Sequence, residues 1–167
     1  DPGDTITCTA TAADTDGGTA SDTASATVQN TDPTVDSVTV TPSTAKVGEA
    51  LTCAATASDE DGGTPTISYA WSTGDTGDTY TIAASDDPGD VITCTATSAD
   101  TDGGSSSDTA SATVTNTDPV IDSVTVSPSS AKVGEDLTCA ATASDADGGT
   151  PTITYAWSSG DTGAVSY

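Results

Sequence analysis

The sequence predicts an all-β protein built of repeated two-layer sandwiches, and three observations carry that expectation. The chain repeats itself: Asp1-Pro2-Gly3-Asp4 returns as Asp87-Pro88-Gly89-Asp90, and Cys8, Cys53 and Trp71 return as Cys94, Cys139 and Trp157, a period of 86 residues. At that offset 64 of 81 aligned positions are identical. Short runs of alternating apolar and polar residues lie between Gly, Asp and Pro clusters, and no long run shows a 3.6-residue period. Each period also supplies one pair of Cys and one Trp, the ingredients of a small core reinforced by a disulfide.

The strands follow in order along residues 31–116. From Val35, Val38 and Val40 share a face, and Pro42-Ser43 turns the chain into a short edge piece around Ala45–Val47. Leu51 to Ala57 alternates and points Cys53 inward. An acidic loop, Ser58 to Gly63, leads to Ile67, Tyr69 and Trp71 on one face, and a Gly-Asp-Thr-Gly turn follows. Tyr80, Ile82 and Ala84 predict a short strand, Asp86 to Asp90 turns, Ile92, Cys94 and Ala96 face in, and Ala110, Ala112 and Val114 close the unit.

About seven strands thus fall within one period, with Trp71 18 residues after Cys53 and Cys94 23 residues after Trp71. That order predicts an immunoglobulin-like sandwich whose inter-sheet disulfide, Cys53 to Cys94, packs against a buried Trp71. Ile92 stands where antibody-type domains place a Tyr, so the unit is not of that type. Trp157 is expected to be the core Trp of the next unit.

Composition explains why a disulfide is needed. Apolar residues make up 33% of the chain, with no Phe or Met, two Trp and four Tyr. At about 25 cal/mol per Å² such a core is thin. Closing the Cys53–Cys94 loop contributes about 3–4 kcal/mol on the chain-entropy model, and disulfides imply an oxidising, extracytoplasmic compartment.

The acidic balance, 26 Asp and Glu against two Lys and no Arg or His, gives a net charge of −24 and opposes nucleic acid and anionic membrane as partners. No apolar run approaches the roughly 20 residues of a spanning helix. Without His or Arg the usual general base and oxyanion clamps are missing, and no enzymatic activity is expected.

Asn30-Thr31-Asp32-Pro33 and Asn116-Thr117-Asp118-Pro119 mark the limits between units. They predict the C-terminal part of one repeat at 1–30, a complete repeat at 31–116 and the N-terminal part of a third at 117–167. Asp1 corresponds to the middle of a repeat, and the expectation is a window cut from a longer tandem. Cys8 and Cys139 must then pair outside their own fragments.

Ala57-Ser-Asp-Glu-Asp-Gly-Gly-Thr-Pro-Thr-Ile-Ser-Tyr-Ala-Trp71 with Gly74-Asp75, then Asp87-Pro-Gly-Asp-Val-Ile-Thr and Asp100-Thr-Asp-Gly-Gly104, resemble the PKD-type repeats of bacteria and archaea. The resemblance covers the whole period. It departs in Trp71-Ser72-Thr73-Gly74, where an acidic residue and an aromatic usually follow the Trp, and in adding the disulfide. It implies extracellular spacers, adhesins, surface layers and accessory modules of secreted hydrolases.

The acidic loops are the candidate site. In this topology Asp32, Asp59, Glu60, Asp61, Asp100 and Asp102 converge at one junction, with Asp118, Asp145 and Asp147 at the next. Ca²⁺ takes six to eight oxygens, and Asp-x-Asp-Gly turns present several together. The competing explanation is that Asp and Gly simply make good turns. The expected partners are neighbouring repeats of the same protein, in a very long tandem array or a homopolymer in which residues 117–167 complete residues 1–30 of the next copy. The expected function is a cell-surface shaft of a prokaryote, with a carbohydrate-binding accessory module of a secreted hydrolase as the alternative.

Overall fold

The computed structural model describes residues 1–166, which form β-strands and turns with no helix among them. In chain order the strands are β1 (Thr5–Ala13), β2 (Thr19–Thr27), β3 (Thr34–Thr41), β4 (Thr44–Ala45), β5 (Ala50–Ser58) and β6 (Thr66–Trp71). They continue as β7 (Thr79–Thr81), β8 (Val91–Ala99), β9 (Ser105–Val114), β10 (Val120–Ser127), β11 (Leu137–Ser144) and β12 (Val165–Ser166).

Four sheets result: the hairpin β1-β2, a three-stranded sheet β3-β5-β7, a four-stranded sheet β4-β9-β8-β6 and a three-stranded sheet β10-β11-β12. Most strand pairs are antiparallel, and β4 joins β9 in parallel through Thr44–Thr113 and Ala45–Val114. β3 carries an irregularity between Val35 and Ser37, and β10 carries the same one between Ile121 and Ser123.

The chain divides into two compact units. The first comprises Asp1–Thr41, Thr52–Thr79 and Thr93–Ser111. Its core is Pro33, Cys53, Trp71, Cys94, Ala96 and Ser98. Cys53 on β5 is bonded to Cys94 on β8, with Cα atoms 6.4 Å apart, so the disulfide ties one sheet to the other. Trp71 is the cross-strand partner of Cys94 and is 4% exposed. Its indole N–H donates to the Gly77 carbonyl at 2.9 Å, which satisfies the one polar atom of an otherwise apolar side chain. The Tyr69 hydroxyl on β6 accepts the Ala55 N–H of β5 at 3.2 Å, a second tie between the sheets.

The second unit comprises Pro42–Leu51, Tyr80–Ile92 and Ala112–Tyr167. Its core is Ala45, Leu51, Tyr80, Ile82, Ile92, Ala112 and Val114. The strand expected through Tyr80, Ile82 and Ala84 is shorter: β7 ends at Thr81, and Ala84 is exposed. The buried Asp86 carboxylate causes the stop by accepting the Tyr80 hydroxyl at 2.6 Å and the Ala83 N–H at 2.8 Å, which folds the chain into a turn. Ile82 instead exchanges hydrogen bonds with Gly48 and Glu49.

The segment Thr152–Trp157 shows what a strand requires. Its residues match those of β6 except that Thr154 replaces Ser68, yet among the described residues it pairs with no neighbouring strand and has only an isolated bridge, Ala156 to Thr162. β6 exists as a strand because β8 lies beside it over six residue pairs. A pleated segment becomes a strand only when its backbone groups find a ladder.

Candidate functional site

The acidic loops are ordered by their own backbone. Asp100 follows β8, and its Oδ1 accepts the N–H groups of Asp102, Gly103 and Gly104 at 2.9, 2.7 and 2.8 Å. Asp59 follows β5, and its Oδ1 accepts the Asp61 N–H at 2.9 Å. Both are turns in which a short carboxylate side chain replaces a backbone acceptor.

The remaining oxygens of these loops reach the connector between β2 and β3. Asp61 Oδ2 accepts the N–H of Thr31, and Asp61 Oδ1 accepts the Thr31 hydroxyl at 3.3 Å. Asp100 Oδ2 accepts the side-chain amide of Asn30 at 3.0 Å. Two loops therefore hold two consecutive connector residues. Gly104 is what allows the approach, because a Cβ there would collide with the carboxylates of Asp100 and Asp32 and with the Asn30 amide. Pro33, fully buried, seats the connector as it enters β3.

Asp32, Asp59, Asp61, Asp100 and Asp102 thus come together, with Asp59, Asp100 and Asp102 lining a cleft of about 90 Å³ beside Gly62, Gly63 and Pro65. Glu60 is exposed on the same loop. The Asn30 amide is the largest influence and holds the Asp100 carboxyl below its usual value; burial, the next in size, opposes it, and the backbone amides of Gly104, Gly103 and Asp102 add to the lowering.

The connector between β9 and β10 repeats part of this arrangement. Asp147 Oδ2 accepts the Thr117 N–H, and Asp145 Oδ1 accepts the Asp147 N–H at 3.0 Å. Asp147 is 8% exposed, whereas Asp118 lies on the surface. Asn116 is exposed and Asn30 is half-buried. The Asn30 bond is made to Asp100, which directly follows β8.

Asp59 Oδ1, Asp61 Oδ2 and Asp100 Oδ1 accept backbone N–H groups, whereas the buried Asp147 Oδ1 accepts no hydrogen bond among the described residues. Among the described residues no group of three His, Cys, Asp or Glu side chains is arranged to hold a metal. The loops bind the connector backbone at Thr31 and Thr117.

Cys8 on β1 is an exposed free thiol, and Cys139 on β11 is a half-buried one. Trp157 is half-buried and donates its indole N–H to the Gly163 carbonyl at 3.0 Å, as Trp71 does to Gly77. The connector residues Asn30, Thr31 and Thr117 and the spacer Gly104 belong to the site although the acidic motif alone does not point to them. The signal for them is the recurrence of Asn-Thr-Asp-Pro, at 30–33 ahead of the loop Asp61-Gly62-Gly63 and at 116–119 ahead of Asp147-Gly148-Gly149. No protein-family model and no curated protein matches this chain.

Proposed function

We propose that this chain is part of the shaft of an extracellular, non-enzymatic structural protein, a tandem of Ig-like repeats serving as a surface fibre, filament, stalk or adhesin stem of a prokaryote. One repeat occupies residues 31–116, and residues 1–30 and 117–167 belong to its neighbours. Clamping of the connectors carries the proposal: Thr31 is held by Asp61 and Asn30 by Asp100, and Thr117 is held by Asp147. A connector whose N–H is bonded to the following unit cannot act as a free swivel, so the distance between units is kept. Stiff spacing is the property a shaft needs.

Three further observations support the proposal. The Cys53–Cys94 bond fits an oxidising exterior. A net charge of −24 keeps parallel shafts apart in dilute salt. The resemblance to PKD-type repeats, noted from the acidic loops and the Trp strand, points to the prokaryotic surface.

A carbohydrate-binding accessory module would need aromatic rings displayed on one face. Trp71 is buried against the disulfide, and Tyr80 is buried with its hydroxyl on Asp86. Incubation with insoluble chitin and cellulose distinguishes the two roles. A shaft stays in the supernatant on both, and retention that survives salt washing would transfer the protein to the accessory class.

A further inference from the structure

Ser98 is fully buried, and its hydroxyl has no hydrogen-bond partner among the described residues. It stands on β8 on the same inward face as Cys94 and Ala96, two residues before Asp100. The ladder of β8 with β9 sets Ser106 opposite it. At one end the Asp100 N–H donates to the Gly104 carbonyl, and at the other the Val114 N–H donates to the Asp90 carbonyl. This is the register of β1 with β2, in which Ala12 faces Ala20. The Ser106 Oγ is also buried and without a partner.

The two hydroxyls come as a pair. Residues 1–30 and 87–116 differ at five positions, and two of the five are Ala12 against Ser98 and Ala20 against Ser106, both members of one cross-strand pair. A buried hydroxyl without a hydrogen bond is costly, so a pair of alanines exchanged for a pair of serines at one place points to something the serines share. A third orphaned atom lies beside them. Asn30 donates its amide to Asp100 Oδ2 at 3.0 Å, and its Nδ2 is 2.8 Å from where a Cβ on Gly104 would stand, so the side chain sits over the Asp100–Gly104 end of the ladder. Its Oδ1 is buried and accepts nothing. Ser98 and Ser106 form the next pair on that face, about 6.6 Å along the strands, and a bridging water spans about 5.6 Å between two partners.

We propose that Ser98, Ser106 and Asn30 form a binding site for one internal water molecule, which ties the connector ahead of β3 to the β8–β9 pair. The water donates to Asn30 Oδ1 and to one serine oxygen and accepts the hydroxyl of the other serine, about three hydrogen bonds, the usual number for a buried water. A direct bond between the two serines would serve both of them and leave Asn30 Oδ1 alone, whereas a water serves all three. The site is independent of the shaft function and stands or falls without it.

The test is ¹⁷O relaxation dispersion of the folded 167-residue chain in ¹⁷O-enriched water, which counts long-lived internal waters and, because it follows oxygen, is blind to exchange of the serine hydroxyl protons. The double variant Ser98→Ala, Ser106→Ala carries the alanine pair that residues 12 and 20 already have, and it should hold one such water fewer than the parent. Asn30→Ala should lose the same water. Equal counts in the parent and in either variant would overturn the proposal. A crystal structure of the parent gives the second reading: a water oxygen within about 3 Å of all three side-chain atoms is expected, and the two serine hydroxyls bonded directly to each other with no oxygen between them and Asn30 would overturn it.

Discussion

Cys53 is bonded to Cys94, and Trp71 is buried as the cross-strand partner of Cys94. Replacing both Cys53 and Cys94 by Ser should lower stability by about 3–4 kcal/mol, because the closed loop spans 41 residues of unfolded chain. Urea denaturation of the variant against the parent, with Trp157→Phe in both so that Trp71 alone reports, measures the loss; a change under about 1 kcal/mol would contradict the role given to the bond. These two residues were readable from sequence because alternation assigns each strand residue a side and the Cys-Trp-Cys spacing names the partners. Tyr69 on Ala55 and Asp86 on Tyr80 were not. A hydrogen bond depends on where two atoms end up in space, and periodicity carries no information about that.

Among the elements, the connector is the one whose behaviour departs from composition. Asn-Thr-Asp-Pro has the residues of a loose link, yet its N–H groups are bound to carboxylates of the next loops. Asp61→Ala should raise hydrogen exchange at the Thr31 amide about tenfold or more, the equivalent of about 1.5 kcal/mol for a bond to a charged acceptor. Unchanged exchange at Thr31, measured by NMR, would show the bond to be idle. Asp100 adds a pH dependence. Its folded value is lowered, so its contribution is complete above the unfolded Asp value of about 3.9 and is lost as pH falls through the lowered one. Carboxyl ¹³C titration should place the Asp100 midpoint below the unfolded Asp value of about 3.9, and a midpoint above it would contradict the assigned hydrogen bonds. The convergence of Asp32, Asp59, Asp61 and Asp100 was legible from sandwich topology, since loops following the two Cys strands share an end. Their use was not legible, because a carboxylate in a turn looks the same whether it meets a cation, water or an amide. Strand existence was likewise legible over β3, β5 and β8. It was not legible for Thr152–Trp157, which has the residues of β6 but not its ladder partner.

At the scale of the whole molecule, an acidic chain with a thin core keeps its form through local devices: the Cys53–Cys94 disulfide, the covered indole of Trp71 and the connectors clamped at Thr31 and Thr117. Asp59, Asp61 and Asp100 already accept backbone N–H groups, so chelation should leave the melting temperature unchanged to within about a degree, whereas a drop of 4–8 °C would correspond to about 1 kcal/mol of metal-dependent stability. Stiffness is the claim on which the function depends. Small-angle scattering from polypeptides of two, four and six consecutive repeats tests it most directly. The account predicts a maximum dimension that rises by the same increment with every added repeat, and growth closer to the square root of repeat number, the behaviour of units on flexible links, would contradict it.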